Sequence, residues 1–210
     1  MQPAVLASAP RLSAVQRRRK RQIAALGLLL LFASLFTQSL WGADELHEWV
    51  EVASLVLTGL CVAGRAWCSL YIGGQKKQQV VALGPYSVVR NPLYLFSVAG
   101  AASVGFAAGS LVVGALLGLL CFLVFDRLIR REETYLEAKF GQDFLRYAAA
   151  TPRWLPRPRL WRDSVELTVR PRLVLLTVRD ASLFFAALPL FEAIEWLQLQ
   201  GWLPVLLRLP

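Results

Sequence analysis

Histidine and cysteine are scarce in this chain, which limits the metal and redox chemistry it can carry. The 210 residues include one histidine, His47, and three cysteines, Cys61, Cys68 and Cys121. The cysteines lie within or beside apolar runs, and no pair has the spacing of a metal-binding knuckle or of an extracellular disulfide. We therefore expect no metal centre, and we interpret the cysteines as small buried apolar residues.

A nucleotide-binding glycine motif is also missing. The sequence has 14 glycines but no Gly-x-Gly-x-x-Gly, and this absence, with the short chain, excludes a soluble Rossmann domain. Hydrophobic residues make up 56% of the chain and its mean hydropathy is +0.49. These values are too apolar for a soluble domain of this size, so the sequence predicts a membrane protein.

Acidic residues are outnumbered, and the distribution of the basic ones indicates membrane topology. The net charge is +9, and all but Arg65 and Arg208 of the 23 lysines and arginines fall on one predicted side of the membrane. That side is cytoplasmic by the positive-inside rule. Because the basic residues flank apolar runs, we expect no nucleic-acid partner. The protein is predicted to lie in the bacterial inner membrane with its site facing the cytoplasm.

The apolar runs predict an all-α, polytopic membrane protein with about five transmembrane helices. A run of about 20 apolar residues spans a bilayer, and two shorter runs form a helical hairpin in which glycines permit close packing. The predicted spans are Ile23 to Trp41, Trp49 to Ile72, Leu93 to Phe106, Leu111 to Phe125 and Leu173 to Leu199. The last run is either one tilted span or an interfacial helix followed by a span.

These spans divide a single membrane domain, residues 1–210, into four parts. Residues 1–22 form a basic cytoplasmic N-terminus, and residues 23–126 hold four transmembrane helices. Residues 127–172 form a cytoplasmic helix extension with a segment rich in proline and arginine, and residues 173–210 hold the C-terminal helix. Arg65, well inside an apolar run, either snorkels to the nearer surface or lines a cavity.

A polar and aromatic stretch, Gly84 to Tyr94, follows the second span. Its two prolines restrict the backbone and bias the residues before them, Gly84 and Asn91, towards extended conformations. We therefore expect an ordered, non-helical loop that ends where the next membrane helix begins.

The helical pattern that starts at Leu111 continues beyond the membrane. It runs through Glu132 and Glu133 and stops at Gly141, a typical helix-ending residue. A helix of this length measures about 45 Å, at 1.5 Å per residue, so it should protrude from the bilayer on the cytoplasmic side. The loop and this extension can then share one pocket.

The two regions supply aromatic, carboxylate and guanidinium groups. Tyrosine faces attract cations, carboxylates accept hydrogen bonds from hydroxyl or ammonium groups, and arginine binds carboxylates. The residues are Tyr86, Tyr94, Glu132, Glu133, Arg90 and Arg131. The alternative interpretation is an ordinary aromatic belt beside a solvated helix face.

The order of the motifs resembles the isoprenylcysteine carboxyl methyltransferase family and, more distantly, the phospholipid N-methyltransferases. The resemblance covers about Gly64 to Pro158. It rests on Gly-Pro-Tyr at 84–86, Arg-Asn-Pro-Leu-Tyr at 90–94, Glu-Glu at 132–133, Phe-Gly at 140–141 and Pro-Arg at 152–153.

The resemblance implies an integral membrane enzyme that transfers a methyl group from S-adenosyl-L-methionine. The acceptor would be a lipophilic small molecule or a membrane-embedded one, reacting through a carboxylate or an amine. Implied cofactor contacts are Gln78, Val81, Tyr86, Arg90, Asn91, Pro92, Tyr94 and Glu132. Implied catalytic residues are Arg127, Arg131 and Glu133.

Two positions depart from the family pattern. Asn91 stands where the family usually has histidine, and because an amide does not titrate near neutral pH it cannot act as a general base. Phe96 stands where the pattern favours glycine, and its larger side chain narrows either the expected pocket or the expected gap between helices that opens to lipid. A prenylated protein is therefore not implied as the substrate.

Two other functions fit the sequence. A membrane reductase of the sterol-reductase type would bind NADPH through the same arginines. A non-catalytic membrane module would keep the fold without the chemistry, as the substitutions at positions 91 and 96 allow.

Overall fold

The computed structural model of this protein describes residues 25, 29, 32, 35–40, 45–73 and 79–209. Most of these residues are helical, as predicted. The helices are α1 (Glu45–Ile72), α2 (Pro85–Val88), α3 (Pro92–Ala107), α4 (Leu111–Phe140), α5 (Gln142–Ala150), α6 (Pro171–Ser182) and α7 (Ala187–Leu199). Short 3-10 turns occupy Pro158–Leu160 and Leu183–Ala186. Two short strands, β1 (Thr37–Ser39) and β2 (Leu207–Leu209), pair in parallel.

Three helical stretches in the described chain are long and apolar enough to cross a membrane. They are His47–Ile72, Leu111–Phe140 and Pro171–Leu199, whereas the apolar helix Pro92–Ala107 is shorter. The protein is thus a helical integral membrane protein, but the predicted count of five spans is not confirmed. The last stretch is helical throughout, with the 3-10 turn joining α6 directly to α7.

The predicted first span, Ile23 to Trp41, lies largely outside the described residues. Its last part is wrong, because Thr37–Ser39 form strand β1 instead of continuing a helix. The backbone groups of this strand pair with Leu207–Leu209, a partner far along the chain that apolar periodicity does not reveal.

The predicted hairpin of α3 and α4 is confirmed, and its turn has a clear local cause. Gly109 adopts a positive φ of 67°, which favours glycine. Ser110 then caps α4, its hydroxyl accepting a hydrogen bond from the Val113 amide at 3.2 Å. A Cβ added to Gly105 would collide with the backbone of Gly114, so these glycines permit the close approach of the two helices.

Helix α1 packs against α3 and α6. At its first turn, His47 lies beside the hairpin turn at Gly109. At its other end, Tyr71 packs against Gly84, the first residue of the loop at 84–91, called the central loop below. At 1.5 Å per residue these ends are about 36 Å apart, so the hairpin turn and the loop lie at opposite ends of α1.

Helix α4 ends where the sequence predicts. It runs from Leu111 to Phe140 and stops at Gly141, which has a φ of 53°. Its 30 residues span about 45 Å, against about 30 Å for the hydrocarbon of a bilayer. The last part of α4, with the Glu132-Glu133 pair, therefore reaches the loop that follows α1.

Candidate functional site

The central loop contains one helical turn, so the prediction of a non-helical loop is wrong for Pro85–Val88. Proline favours the first position of a helix because its fixed φ suits the turn. Ser87 reinforces the turn by donating its hydroxyl to the Gly84 carbonyl at 2.7 Å. Gly84 is not extended as expected; it has φ 55°, and the Tyr71 ring fills the place of a side chain.

A return segment, residues 151–163, folds back over this loop. The sequence leaves open whether residues 151–172 form an ordered wrap or an interfacial piece, and in the structure backbone hydrogen bonds hold residues 151–163 against the loop. Three main-chain hydrogen bonds join the segment to the loop: Gly84 N to Arg162 O at 2.7 Å, Arg90 N to Pro152 O at 2.8 Å and Arg157 N to Val88 O at 3.0 Å. The loop is therefore held from two directions, by α1 and by the return segment.

Glu133 joins helix α4 to both the loop and the return segment. One carboxylate oxygen lies 3.1 Å from an Arg90 guanidinium nitrogen, and the other accepts hydrogen bonds from Arg153 at 2.5 and 3.0 Å. The Glu133 side chain is only 12% exposed. Hydrogen bonding to Glu133 raises the pKa of Arg153, so the guanidinium group of Arg153 stays charged. Glu133 therefore acts as an ionic clamp between three segments.

Glu132, its neighbour, faces a different partner. The Tyr94 hydroxyl, on the first turn of α3, donates to the Glu132 carboxylate at 3.0 Å. The Tyr94 ring packs on Phe125 with centroids 4.8 Å apart, next to the fully buried Ile129. Packing against α4 thus fixes the tyrosine, and a hydrogen bond fixes the carboxylate.

A cavity of about 120 Å³ lies between these elements. This volume is below the range of about 300–1,000 Å³ usual for small-molecule sites. Its walls come from the end of α1, the central loop, α3, α4 and α5. The lining residues are Ile72, Gln79, Val80, Val81, Tyr86, Arg90, Asn91, Leu93, Tyr94, Glu132, Glu133, Leu136, Phe144 and Tyr147.

Two buried phenols line the cavity. Burial raises the pKa of Tyr86 well above its usual value and also raises that of Tyr147, so both remain protonated hydrogen-bond donors. Tyr147 donates to the Tyr86 carbonyl at 2.8 Å. The Tyr86 hydroxyl, on a residue only 5% exposed, has no hydrogen-bond partner among the described residues. An unpaired buried donor in a cavity wall is a feature of a ligand site.

The structure brings most of the sequence-predicted site residues together. Those that line the cavity are Val81, Tyr86, Arg90, Asn91, Tyr94, Glu132 and Glu133. Pro92 is buried at the start of α3, next to the lining, and Gln78 lies outside the described residues. Arg127 and Arg131 are exposed on α4 and do not line the cavity, so their catalytic role stays a prediction.

Sequence reasoning missed several residues of this site. Arg153 holds Glu133, and Leu136 and Ile72 supply apolar wall, but none of them was assigned to it. Phe144 and Tyr147 also line the cavity, although the sequence motifs do not assign them to the site. Their spacing of three on a short amphipathic helix was the available signal, since it places both on one face.

The fold and the cavity define a helical integral membrane protein with a polar-aromatic site at one end of its helices. Residues 53–143 match the model of the phospholipid methyltransferase family, and this chain belongs to that family. The match includes most of the cavity lining but ends before the return segment. No solved structure matches the chain significantly.

Curated relatives match over long stretches. The nickel-cobalt-cadmium resistance protein NccN of Alcaligenes xylosoxydans is 31% identical over 214 residues, covering 100% of this chain and 98% of the relative. The cobalt-zinc-cadmium resistance protein CzcN of Cupriavidus metallidurans is 31% identical over 166 residues, covering 79% of this chain and 76% of the relative. An uncharacterized protein of Haemophilus influenzae is 51% identical over 43 residues, 20% of this chain and 68% of that protein.

Proposed function

We propose that this protein is an S-adenosylmethionine-dependent methyltransferase that acts on a lipophilic acceptor. The observation that carries the proposal is the shared cavity. The loop motif, with Tyr86 and Tyr94, and the carboxylate motif at Glu132 are about 40 residues apart in sequence, yet both line it. Membership of the phospholipid methyltransferase family supports the same activity.

The residues of the cavity fit the cofactor. Glu132 and the Asn91 amide are suited to its hydroxyl and ammonium groups, and the faces of Tyr86 and Tyr94 are suited to its sulfonium. The unpaired hydroxyl of Tyr86 offers a further donor. Because the cavity is smaller than a whole cofactor site, binding would widen it, and we expect the widening at residues 79–81, which lie in no helix or strand.

Bound S-adenosylmethionine would supply an electrophilic methyl group. The chain's own contribution is then to position the acceptor and to exclude water, since Asn91 does not titrate and the buried phenols keep their protons. Glu133 contributes by holding the loop and the return segment in place. Arg127 and Arg131, exposed on the same helix, are proposed to meet the acceptor as it approaches.

The proposed setting is the bacterial inner membrane, with the cavity facing the cytoplasm. The basic residues of the loop, the α4 extension and the return segment are all at the cavity end. A lipophilic acceptor, carrying a carboxylate or an amine, would then reach the cavity from the bilayer.

Calorimetry on the detergent-purified protein tests the cofactor. S-Adenosylmethionine and S-adenosylhomocysteine should bind, and Glu132→Ala should abolish binding. Glu137→Ala is the matched control, since Glu137 is an exposed carboxylate on the same helix. Binding of NADPH alone would instead indicate the membrane reductase, and binding of none of the three ligands would indicate a non-catalytic module.

The relatives suggest a physiological context. Two of them are named for resistance to divalent metals, and we propose that this chain contributes to such resistance through methyl transfer. Among the described residues, no group of three or more His, Cys, Asp or Glu side chains is placed to hold a metal ion. Growth of a metal-sensitive bacterium on cadmium or cobalt tests the idea: the intact protein should protect, and Glu132→Ala should not. Equal protection by both would refute a catalytic contribution.

A further inference from the structure

The return segment runs beside the end of a membrane helix. The Trp161 ring stacks on the ring of Trp67, with centroids 5.5 Å apart. Trp67 precedes the end of α1 at Ile72 by about 7.5 Å along the axis, and α1 is one of the helices long and apolar enough to cross a membrane. Both tryptophans are partly exposed, and tryptophan is enriched where a membrane meets water. Trp161 therefore lies at the level of the lipid head groups.

The stretch that follows this point carries an excess of positive charge. It holds five exposed arginines, which are Arg157, Arg159, Arg162, Arg170 and Arg172. The only carboxylates between positions 157 and 172 are Asp163 and Glu166, and Asp163 already accepts a hydrogen bond from the Tyr71 hydroxyl. None of the five arginines has an ion pair within the part of the chain that the structure describes. An anionic partner from outside the chain would meet uncompensated guanidinium groups here.

Exposed apolar side chains are interleaved with these arginines. Leu155 is 77% exposed and Val165 is fully exposed, and Trp161 and Leu167 are also partly uncovered. Basic and apolar side chains in one stretch are typical of segments that lie in a membrane interface, where arginine head groups reach lipid phosphates while their stems stay in apolar surroundings. A soluble polyanion would satisfy the arginines and leave the apolar side chains in water. The composition therefore fits an anionic lipid surface.

The backbone of the same residues holds the central loop. The Gly84 amide donates to the Arg162 carbonyl at 2.7 Å, and the Arg162 amide donates to the Ser87 hydroxyl at 3.0 Å. The Arg157 amide donates to the Val88 carbonyl at 3.0 Å. The central loop forms part of the cavity wall. A contact that restrains the arginine side chains therefore also restrains the loop beside the cavity.

We propose that residues 155–172 form a surface that binds the phosphate groups of anionic phospholipids in the leaflet at the cavity end, and that this binding orders the central loop. The lipid is here a neighbour that supports the fold and not the methyl acceptor, so the inference goes beyond the proposed function. Each arginine close to an anionic membrane strengthens the attraction about fivefold. Because these charges are exposed, salt screens the attraction.

Hydrogen exchange detected by mass spectrometry tests the surface. The protein is placed in nanodiscs of phosphatidylcholine and in matched nanodiscs in which about a third of the lipid is phosphatidylglycerol, which gives them a negative surface potential. We expect the anionic nanodiscs to slow the exchange of peptides from residues 84–90 and 151–163 at least about fivefold, and raised salt to remove the difference. Peptides from α3 should exchange at the same rate in both. Equal exchange of the loop in the two kinds of nanodisc overturns the proposal.

Variants connect the effect to this surface. Replacing Arg157, Arg159 and Arg162 together by glutamine leaves the backbone amides in place and should abolish the slowing. The charge-matched control replaces Arg130, Arg146 and Arg179 by glutamine, since each of these exposed arginines already pairs with a carboxylate, and it should keep the slowing. Val165→Ser changes a side chain that packs on nothing and should reduce the slowing about twofold. Slowing that persists unchanged in Val165→Ser and in the first triple variant, or that is lost in the control, overturns the proposal.

Soluble ligands separate this surface from a general anion site and from the cofactor. Inorganic phosphate or heparin, added to the neutral nanodiscs, should leave the exchange unchanged, and slowing equal to that by the anionic lipid would overturn the lipid assignment. S-Adenosylhomocysteine binding is measured by calorimetry on the same samples. If the anionic lipid slows exchange but S-adenosylhomocysteine does not bind, the proposed function fails and the lipid surface stands. If S-adenosylhomocysteine binds and the lipid has no effect, the lipid surface fails alone.

Discussion

Removing the charge of Glu133 should release the return segment without unfolding the membrane helices. The carboxylate pairs with Arg90 on the loop and with Arg153 on the return segment, and its side chain is 12% exposed. Glu133→Gln keeps the shape but leaves two guanidinium groups facing a neutral amide. Breaking a buried pair from one side costs about 3–5 kcal/mol. Because Arg153 is 30% exposed, we expect about 2–3 kcal/mol.

Hydrogen exchange detected by mass spectrometry measures this local stability. A loss of about 2–3 kcal/mol would speed the exchange of peptides from residues 151–163 by roughly 30- to 150-fold. Peptides from α1 and α3 should exchange at unchanged rates. Glu137→Gln, an exposed carboxylate on the same helix, is the matched control and should change nothing.

A double-mutant cycle with Arg153→Gln isolates the contact. We expect a coupling free energy of about 1–2 kcal/mol between Glu133 and Arg153, as found for residues in one ionic network. Coupling below about 0.5 kcal/mol, or unchanged exchange in Glu133→Gln, would refute the clamp. If Glu133→Gln instead lost cofactor binding with normal protection from exchange, the carboxylate would be a ligand group and not a clamp.

Three further changes test the helix packing, the candidate site and the titration of the Tyr86 phenol. Gly105→Ala should lower the unfolding temperature, because the added Cβ meets the backbone of the next helix. Gly59→Ala, which meets nothing within 4 Å, should leave it unchanged or raise it, since alanine favours helices by up to about 1 kcal/mol. Tyr94→Phe should weaken S-adenosylhomocysteine binding about tenfold in calorimetry, because the hydrogen bond from Tyr94 to Glu132 is lost; an unchanged affinity would remove Tyr94 from the site. Above pH 10, the ordinary pKa of a phenol, the unfolded chain loses protons that buried Tyr86 keeps in the fold, so stability should fall as pH rises. Thermal unfolding from pH 9 to 11 measures this fall in stability. In Tyr86→Phe the fall should be smaller than in the unchanged protein by up to about 1.4 kcal/mol per pH unit, and an equal fall would contradict a buried neutral phenol.

Features with a local cause were predictable from the sequence. The ends of α4 follow from Ser110 as a cap and Gly141 as a stop, and both act within a few residues of themselves. The same holds for the hairpin turn at Gly109. The sequence also predicts that Tyr94 and Glu132 share one pocket, because their two motifs lie on the same side of the membrane in a small protein.

Features that depend on a distant partner were not predictable. The helical turn at Pro85–Val88 forms in a loop whose backbone donors are satisfied by the return segment, about 70 residues later. The pairing of Arg153 with Glu133 likewise depends on the return segment folding over the loop. Strand β1 exists only because Leu207–Leu209 lie beside it, and no apolar periodicity encodes such a pairing.

The return segment makes the cavity a product of two separate stretches of sequence. The backbone amides of Gly84 and Arg90, at the two ends of the loop, donate hydrogen bonds to carbonyls beyond position 143, where the family match stops. A chain trimmed to the matched region would keep most of the lining residues and lose the support that orders them. In chimeras between relatives, residues 79–94 and 151–163 must therefore be exchanged together, because each provides hydrogen-bond partners for the other.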